Sequence, residues 1–145
     1  MGASKRVLNL LLVEDSPADV YLVREAMRTE GLDFRLQVAD DGEAAFQILN
    51  AVDAQTIPAP SLLLLDLNVP RKDGIQVLQR LRQIPRCGAV PVIVISSSDS
   101  PNDRQRALAL GVSEYFRKPS TLDEFMKLGR MVRELCGGTR TLAMG

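Results

Sequence analysis

Three stretches of the chain, VLNLLLV (residues 7–13), LLLL (62–65) and VPVIVIS (90–96), are apolar almost without a break. A strand covered on both faces loses the alternation of a half-wetted one, so such runs predict buried strands of a parallel sheet. FRLQVAD (34–40) instead alternates Phe34, Leu36 and Val38 with polar neighbours, which predicts a more exposed edge strand. VSEYFRKP (112–119) predicts a short fifth strand. Between these runs the apolar spacing becomes helical. SPADVYLVREAMRTEG (16–31) offers Ser16 as an N-cap, Pro17 at the first helical position, an apolar face of Val20, Val23 and Met27, and Gly31 as a terminator. DGEAAFQILNAV (41–52) predicts a short helix after Gly42, and GIQVLQRLRQI (74–84) one whose face carries Ile75, Val77, Leu78, Leu81 and Ile84. NDRQRALALG (102–111) predicts a fourth helix closed by Gly111, with Ser98 or Ser100 as its cap. TLDEFMKLGRMVRELC (121–136) predicts a fifth, opened by a Thr121/Glu124 capping box. Its stripe of Leu122, Phe125, Leu128, Val132 and Leu135, widened by Met126 and Met131, is expected in the core. Five strands alternating with five helices predict an α/β fold, a doubly wound parallel sheet with right-handed crossovers.

Composition narrows the picture. The 145 residues, 46% hydrophobic and 25% charged, suit one globular domain, with a core over about 7–136 and a frayed tail over 137–145. Eighteen basic residues balance eighteen acidic ones, so no general field draws the chain to nucleic acid or an anionic membrane. There is no histidine, and Cys87 and Cys136 have no metal-ligand spacing, which excludes zinc and His-based catalysis. The apolar run before Glu14 is too short for a signal peptide or membrane span, and Arg6 stands where a myristoylation motif after Gly2 wants Ser or Thr. A cytoplasmic location is the expectation.

The chemistry collects where the strands end. Glu14 and Asp15 follow the first strand, Asp66 the third, Ser96 and Ser97 end the fourth, and Lys118 follows the fifth. In an open parallel sheet all of these share the rim at which ligands bind. Converging carboxylates repel unless a cation or a lysine joins them. An all-oxygen set without His or thiolate suits Mg²⁺, which takes one or two carboxylates and keeps positions for water and phosphate oxygens. An aspartate in such a site can act as nucleophile and form an aspartyl phosphate.

With LLLVEDSPAD, LLLLDLNVPRKDG, VPVIVISSS and EYFRKPS at these spacings, the chain resembles the CheY-like receiver domains of two-component response regulators over residues 7–135. The resemblance implies a flavodoxin-like five-stranded parallel sheet of order 2-1-3-4-5 with five helices. It implies that Asp66 is the phosphoacceptor, that Glu14 and Asp15 with Asp66 and the backbone carbonyl of Asn68 bind Mg²⁺, and that Asp15 is the more direct ligand. Ser96 and Lys118 act with the acceptor, Ser97 neighbours the phosphate, Ser96 and Tyr115 form the switch, and the Lys118–Pro119 bond is cis. Such a protein is a phosphoacceptor that assists its own phosphorylation and dephosphorylation rather than an enzyme acting on a separate substrate. VEDSPADVYLVREAM and DLNVPRKDGIQVL most resemble single-domain regulators paired with phytochrome-type histidine kinases, so the implied partners are a sensor histidine kinase of the bacteriophytochrome type and a downstream protein of unknown identity. No helix-turn-helix or basic arm follows Leu135, so output by protein contact is expected. A homodimer face is left open.

Each residue also has a plainer reading. An aspartate after a strand is commonly a turn former or helix cap, Lys118 could be a solvated charge, and Tyr115 half-buried packing. Two other functions share parts of the pattern. A haloacid-dehalogenase-like phosphatase wants a second Asp two positions after its nucleophile, where this chain has Asn68. A receiver-like adaptor working without phosphorylation has no need of the acidic pair, Asp66 and Lys118. An FMN-binding flavodoxin fits poorly, with aromatics at 4% and carboxylates in the loop that would hold the flavin phosphate.

Overall fold

A computed structural model describes residues 7–97 and 100–138. Gly2, Ser98 and positions 139–145 of the expected tail lie outside the described residues. The elements alternate through the chain: β1 (Leu8–Val13), α1 (Pro17–Thr29), β2 (Phe34–Ala39), α2 (Gly42–Asp53), β3 (Leu62–Leu65), α3 (Gly74–Gln83), β4 (Val92–Ser96), α4 (Pro101–Ala109), β5 (Glu114–Arg117) and α5 (Leu122–Arg133). A 3₁₀ turn at Pro85–Cys87, absent from the sequence reading, leads into β4, and a wider turn over Glu134–Gly138 continues α5.

The strands pair in parallel in the order β2-β1-β3-β4-β5. The uninterrupted apolar runs occupy the three inner strands, and every residue of β3 and β4 is buried. Both faces of the sheet are covered, which is why their sequences do not alternate. Val13, Leu63, Leu65, Val92 and Val94 meet α2, α3 and α4 on one side. Leu10, Leu12, Leu64, Ile93 and Ile95 meet α1 and α5 on the other. The edge strand β2 alternates as predicted from Phe34 to Gln37, with Phe34 and Leu36 half-buried and Arg35 and Gln37 exposed, but the pattern then slips: Val38, expected on the apolar side, is 36% exposed, and the small Ala39 is buried in its place beside α2.

The predicted caps Ser16, Ser100 and Thr121 each accept from the third helical N–H. Asp41 and Asp73, which the sequence pattern did not single out, cap α2 and α3 in the same way. Such a cap stabilises by ~1 kcal/mol. The expected capping box of α5 is half made: Thr121 accepts from Glu124, but the Glu124 carboxylate pairs with Lys127 at 3.1 Å. The reciprocal box forms instead at α3, between Asp73 and Gln76. Leu122 departs from its expected place in the core and is 58% exposed. At the first helical position it lies ahead of the turn that packs on the sheet, whereas Phe125, Leu128 and Val132 are buried and Leu135 is half-buried.

Candidate functional site

Strand register assembles the site. Val13 stands opposite Leu65, so Glu14 and Asp66 leave the sheet side by side, and the Asp66 N–H donates to the Val13 carbonyl at 3.0 Å. Ser96 stands opposite Arg117, and the Lys118 N–H donates to the Ser96 carbonyl at 2.8 Å, which sets Lys118 one residue beyond the rim. Glu14, Asp66 and Ser96 are 2%, 6% and 0% exposed, while Asp15 is exposed. The rim therefore has a buried floor and one acidic group open to solvent.

The Lys118 ammonium joins the segments. Its Nζ lies 3.0 Å from Asp66 Oδ2, 2.9 Å from Glu14 Oε1 and 2.7 Å from Asp19 Oδ2. The Asn68 N–H donates to the other oxygen of Asp66 at 2.9 Å, and the Ser16 N–H to Glu14 Oε2 at 3.1 Å. Burial disfavours a charged amine, but the hydrogen bonds to Asp19, Glu14 and Asp66 outweigh it and hold the Lys118 pKa above that of an ordinary lysine. Burial pushes the Glu14 carboxyl up to about 7; the Lys118 hydrogen bond opposes that rise and the Asp66 charge adds to it. The cluster carries more acid than one lysine can neutralise.

Asp19 is a contact that the sequence alone does not reveal. It is the third residue of α1, and SPAD by itself predicts only a helix start. The usable signal was an acidic side chain one helical turn beyond Asp15, on the side of α1 that faces the rim.

One ligand atom from each of Glu14, Asp15 and Asp66 lies within 4.8 Å of the others. Opposite oxygens on Mg²⁺ are ~4.2 Å apart and those on larger divalent ions somewhat farther, so small side-chain adjustments bring this hard-oxygen set onto one cation. The donor set fits a divalent metal, and the excess negative charge favours one.

The remaining predicted residues are distributed as follows. Ser96 is fully buried at the end of β4, and Ser97 is exposed just beyond it. Tyr115 is half-buried, opposite Val94 on the side of the sheet that α4 covers, and the Arg104 guanidinium carbon lies 4.6 Å from its ring centroid. Asn68 is exposed, with its backbone N–H turned to Asp66 rather than an acid in that place. The Lys118–Pro119 bond is trans, as are all peptide bonds among the described residues, which corrects the expectation of a cis bond. Trans is the lower-energy isomer by ~0.5–1 kcal/mol for a bond to proline, and Lys118 reaches all three carboxylates with it.

Residues 10–129 match the family model of the response regulator receiver domain. The chain is 37% identical over 134 residues to response regulator Rcp1 of Synechocystis sp., covering 92% of this chain and 91% of that protein. Its fold superposes on the crystal structure of the phosphorylated cyanobacterial phytochrome response regulator RcpA with a TM-score of 0.81, at 30% identity, covering 92% of this chain and 96% of that one. The Mn²⁺-bound form of response regulator Rcp1 gives a TM-score of 0.77 at 36% identity, covering 88% and 92%.

Proposed function

Because this chain belongs to the response regulator receiver domain family and is a phosphorelay receiver, we propose that Asp66 accepts the phosphoryl group, with Mg²⁺ held by Glu14, Asp15, Asp66 and the backbone carbonyl of Asn68. The observation that carries this reading is the convergence on Asp66, whose carboxylate meets Lys118 at 3.0 Å and shares a three-carboxylate cluster with Glu14 and Asp15. The similar protein RcpA is a phytochrome response regulator, which supports a phytochrome-type histidine kinase as the donor.

In the transfer, the P–N bond of the kinase's phosphohistidine breaks as a P–O bond to Asp66 forms. The bonding pair returns to the imidazole nitrogen, and Asp66 attacks as a carboxylate, so no proton has to be removed from it. A bound Mg²⁺ neutralises charge on the phosphoryl oxygens. Lys118 supplies a second positive charge from the β5 side, and the Ser96 hydroxyl moves onto a phosphoryl oxygen. Tyr115 leaves Arg104 and turns inward, which changes the surface of α4, β5 and α5. A ~100-fold shift between the two states needs ~2.7 kcal/mol, about what one or two charge-assisted hydrogen bonds to the phosphoryl group supply. The protein works in the cytoplasm and signals by protein contact.

Incubation with acetyl phosphate and Mg²⁺ tests the acceptor. Intact-mass spectrometry is expected to find one added phosphoryl group on the wild-type chain and none on Asp66→Asn. Labelling retained in that variant removes Asp66 as the acceptor.

A further inference from the structure

Lys118 has three carboxylate partners, and they differ in one respect. Glu14 and Asp66 belong to the cluster that fits a divalent cation, whereas Asp19 does not. We propose, on the phosphoacceptor reading above, that Asp19 is a positioning residue: it holds the Lys118 ammonium at the site while the cation and the phosphoryl group take over the oxygens of Glu14 and Asp66.

The hydrogen-bond pattern leads to this assignment. Both oxygens of Glu14 are engaged, one by Lys118 and one by the Ser16 N–H. Both oxygens of Asp66 are engaged too, by Lys118 and the Asn68 N–H. A cation entering the cluster must therefore share or displace the ammonium, because two positive charges on one carboxylate oxygen repel. Phosphorylation then turns one Asp66 oxygen into the bridging oxygen of an acyl phosphate, a much weaker acceptor. At each step Lys118 loses hold on Glu14 and Asp66 and keeps its hold on Asp19, which at 2.7 Å is already its shortest contact.

Asp19 is built to stay. It is the third residue of α1, its backbone N–H is bonded to the Ser16 hydroxyl at 3.2 Å, and α1 starts four residues after β1 ends. The carboxylate is thus tied to the same rim as the acidic pair. Lys118 has a flexible four-carbon stem, and without a fixed partner its ammonium either leaves or settles fully between Glu14 and Asp66. The second outcome sets lysine against the cation.

The consequence can be read by binding alone. Mn²⁺ affinity, followed by the loss of the free-ion electron paramagnetic resonance signal, is measured for wild type, Asp19→Asn, Lys118→Met and the double variant. Asp19→Asn is expected to weaken Mn²⁺ by about tenfold when Lys118 is present and by less than about threefold when it is Met. Asp19→Glu keeps the charge within reach of the flexible ammonium and is expected to stay near wild type. Equal weakening in both Lys118 backgrounds would show that Asp19 acts only as a distant negative charge and overturns the proposal, as does no weakening in either. Asp19 is partly exposed and sits where Asn is tolerated; should Asn cost the fold, Asp19→Ser gives the same comparison. A wild-type chain that binds Mn²⁺ but takes no phosphoryl group from acetyl phosphate would sink the acceptor reading while leaving the coupling of Asp19 to Lys118 measurable.

Discussion

Glu14 is buried beside a second carboxylate, and its protonation follows from that placement. In the folded chain its pKa is raised to about 7, with burial the largest cause, against an ordinary value of 4.5. Between these values the folded state binds more protons than the unfolded one, so this group's contribution to stability is present below pH 4.5 and is lost as the pH rises through about 7. In a chelator-containing buffer, Glu14→Gln is expected to gain stability relative to wild type as the pH rises from about 5 to 8, the Gln variant having no such proton to lose. Urea unfolding of the two proteins across that range checks the sign; a constant difference would mean that Glu14 ionises normally. At this scale much of the site was legible. Carboxylates directly after apolar strands identified Glu14, Asp15 and Asp66, and EYFRKPS identified Lys118. Asp19 was not legible, because a residue in the first turn of a helix has an adequate local reason to be acidic.

Helix α1 and helix α5 approach closely because Gly129 has no side chain. A Cβ there would lie 2.4 Å from the Ala26 carbonyl oxygen and 2.8 Å from the Glu30 Cβ. Two effects oppose each other in Gly129→Ala: helix propensity favours alanine by ~1 kcal/mol, while forcing two helices apart costs ~1–3 kcal/mol. Since the obstructing atom is backbone, which cannot swing aside, the clash falls at the upper end of that range, ~2–3 kcal/mol, and a net loss of about 1–2 kcal/mol is expected in urea unfolding. An unchanged or raised midpoint would show that the helices slide apart freely. The β3–α3 loop is held in a comparable way. Arg71 and Lys72 both adopt positive φ, 52° and 72°. They are secured by the Gly42 N–H donating to the Pro70 carbonyl at 2.9 Å, by the Arg71–Asp41 pair at 3.2 Å and by Lys72 over the Phe46 ring. The loop that carries Asn68 is thus fastened to the start of α2. The segment's own pattern does not show this fastening, because the Arg71–Asp41 pair joins residues thirty positions apart.

Across the whole molecule, the candidate cation site is where β1 and β3 end, one residue beyond their last paired positions. An ion bound there ties two separate segments together in the folded state only, so it stabilises by mass action. At a free Mg²⁺ concentration ~100 times its dissociation constant, the unfolding free energy is expected to rise by ~2.7 kcal/mol over the same protein in chelator. Asp15→Asn, which alters an exposed side chain, is expected to remove most of that gain while leaving the metal-free stability nearly unchanged. Coincident unfolding curves with and without Mg²⁺ would count against the site. Among the described residues, no helix is long and apolar enough to cross a membrane.

The sequence by itself determined the alternation of elements, the burial of the inner strands and the identity of the acidic rim. These follow from hydrophobic periodicity and from the rule that strand ends share one edge of a parallel sheet. Only the tertiary structure decided which carboxylates Lys118 meets, that Leu122 is left outside the core, that the Thr121 cap lacks its return bond, and that the bond before Pro119 is trans. Each of those depends on distances between segments about a hundred residues apart or on a choice between nearly equal local states. Local pattern carries no information about either, whereas packing selects one arrangement by the contacts it makes.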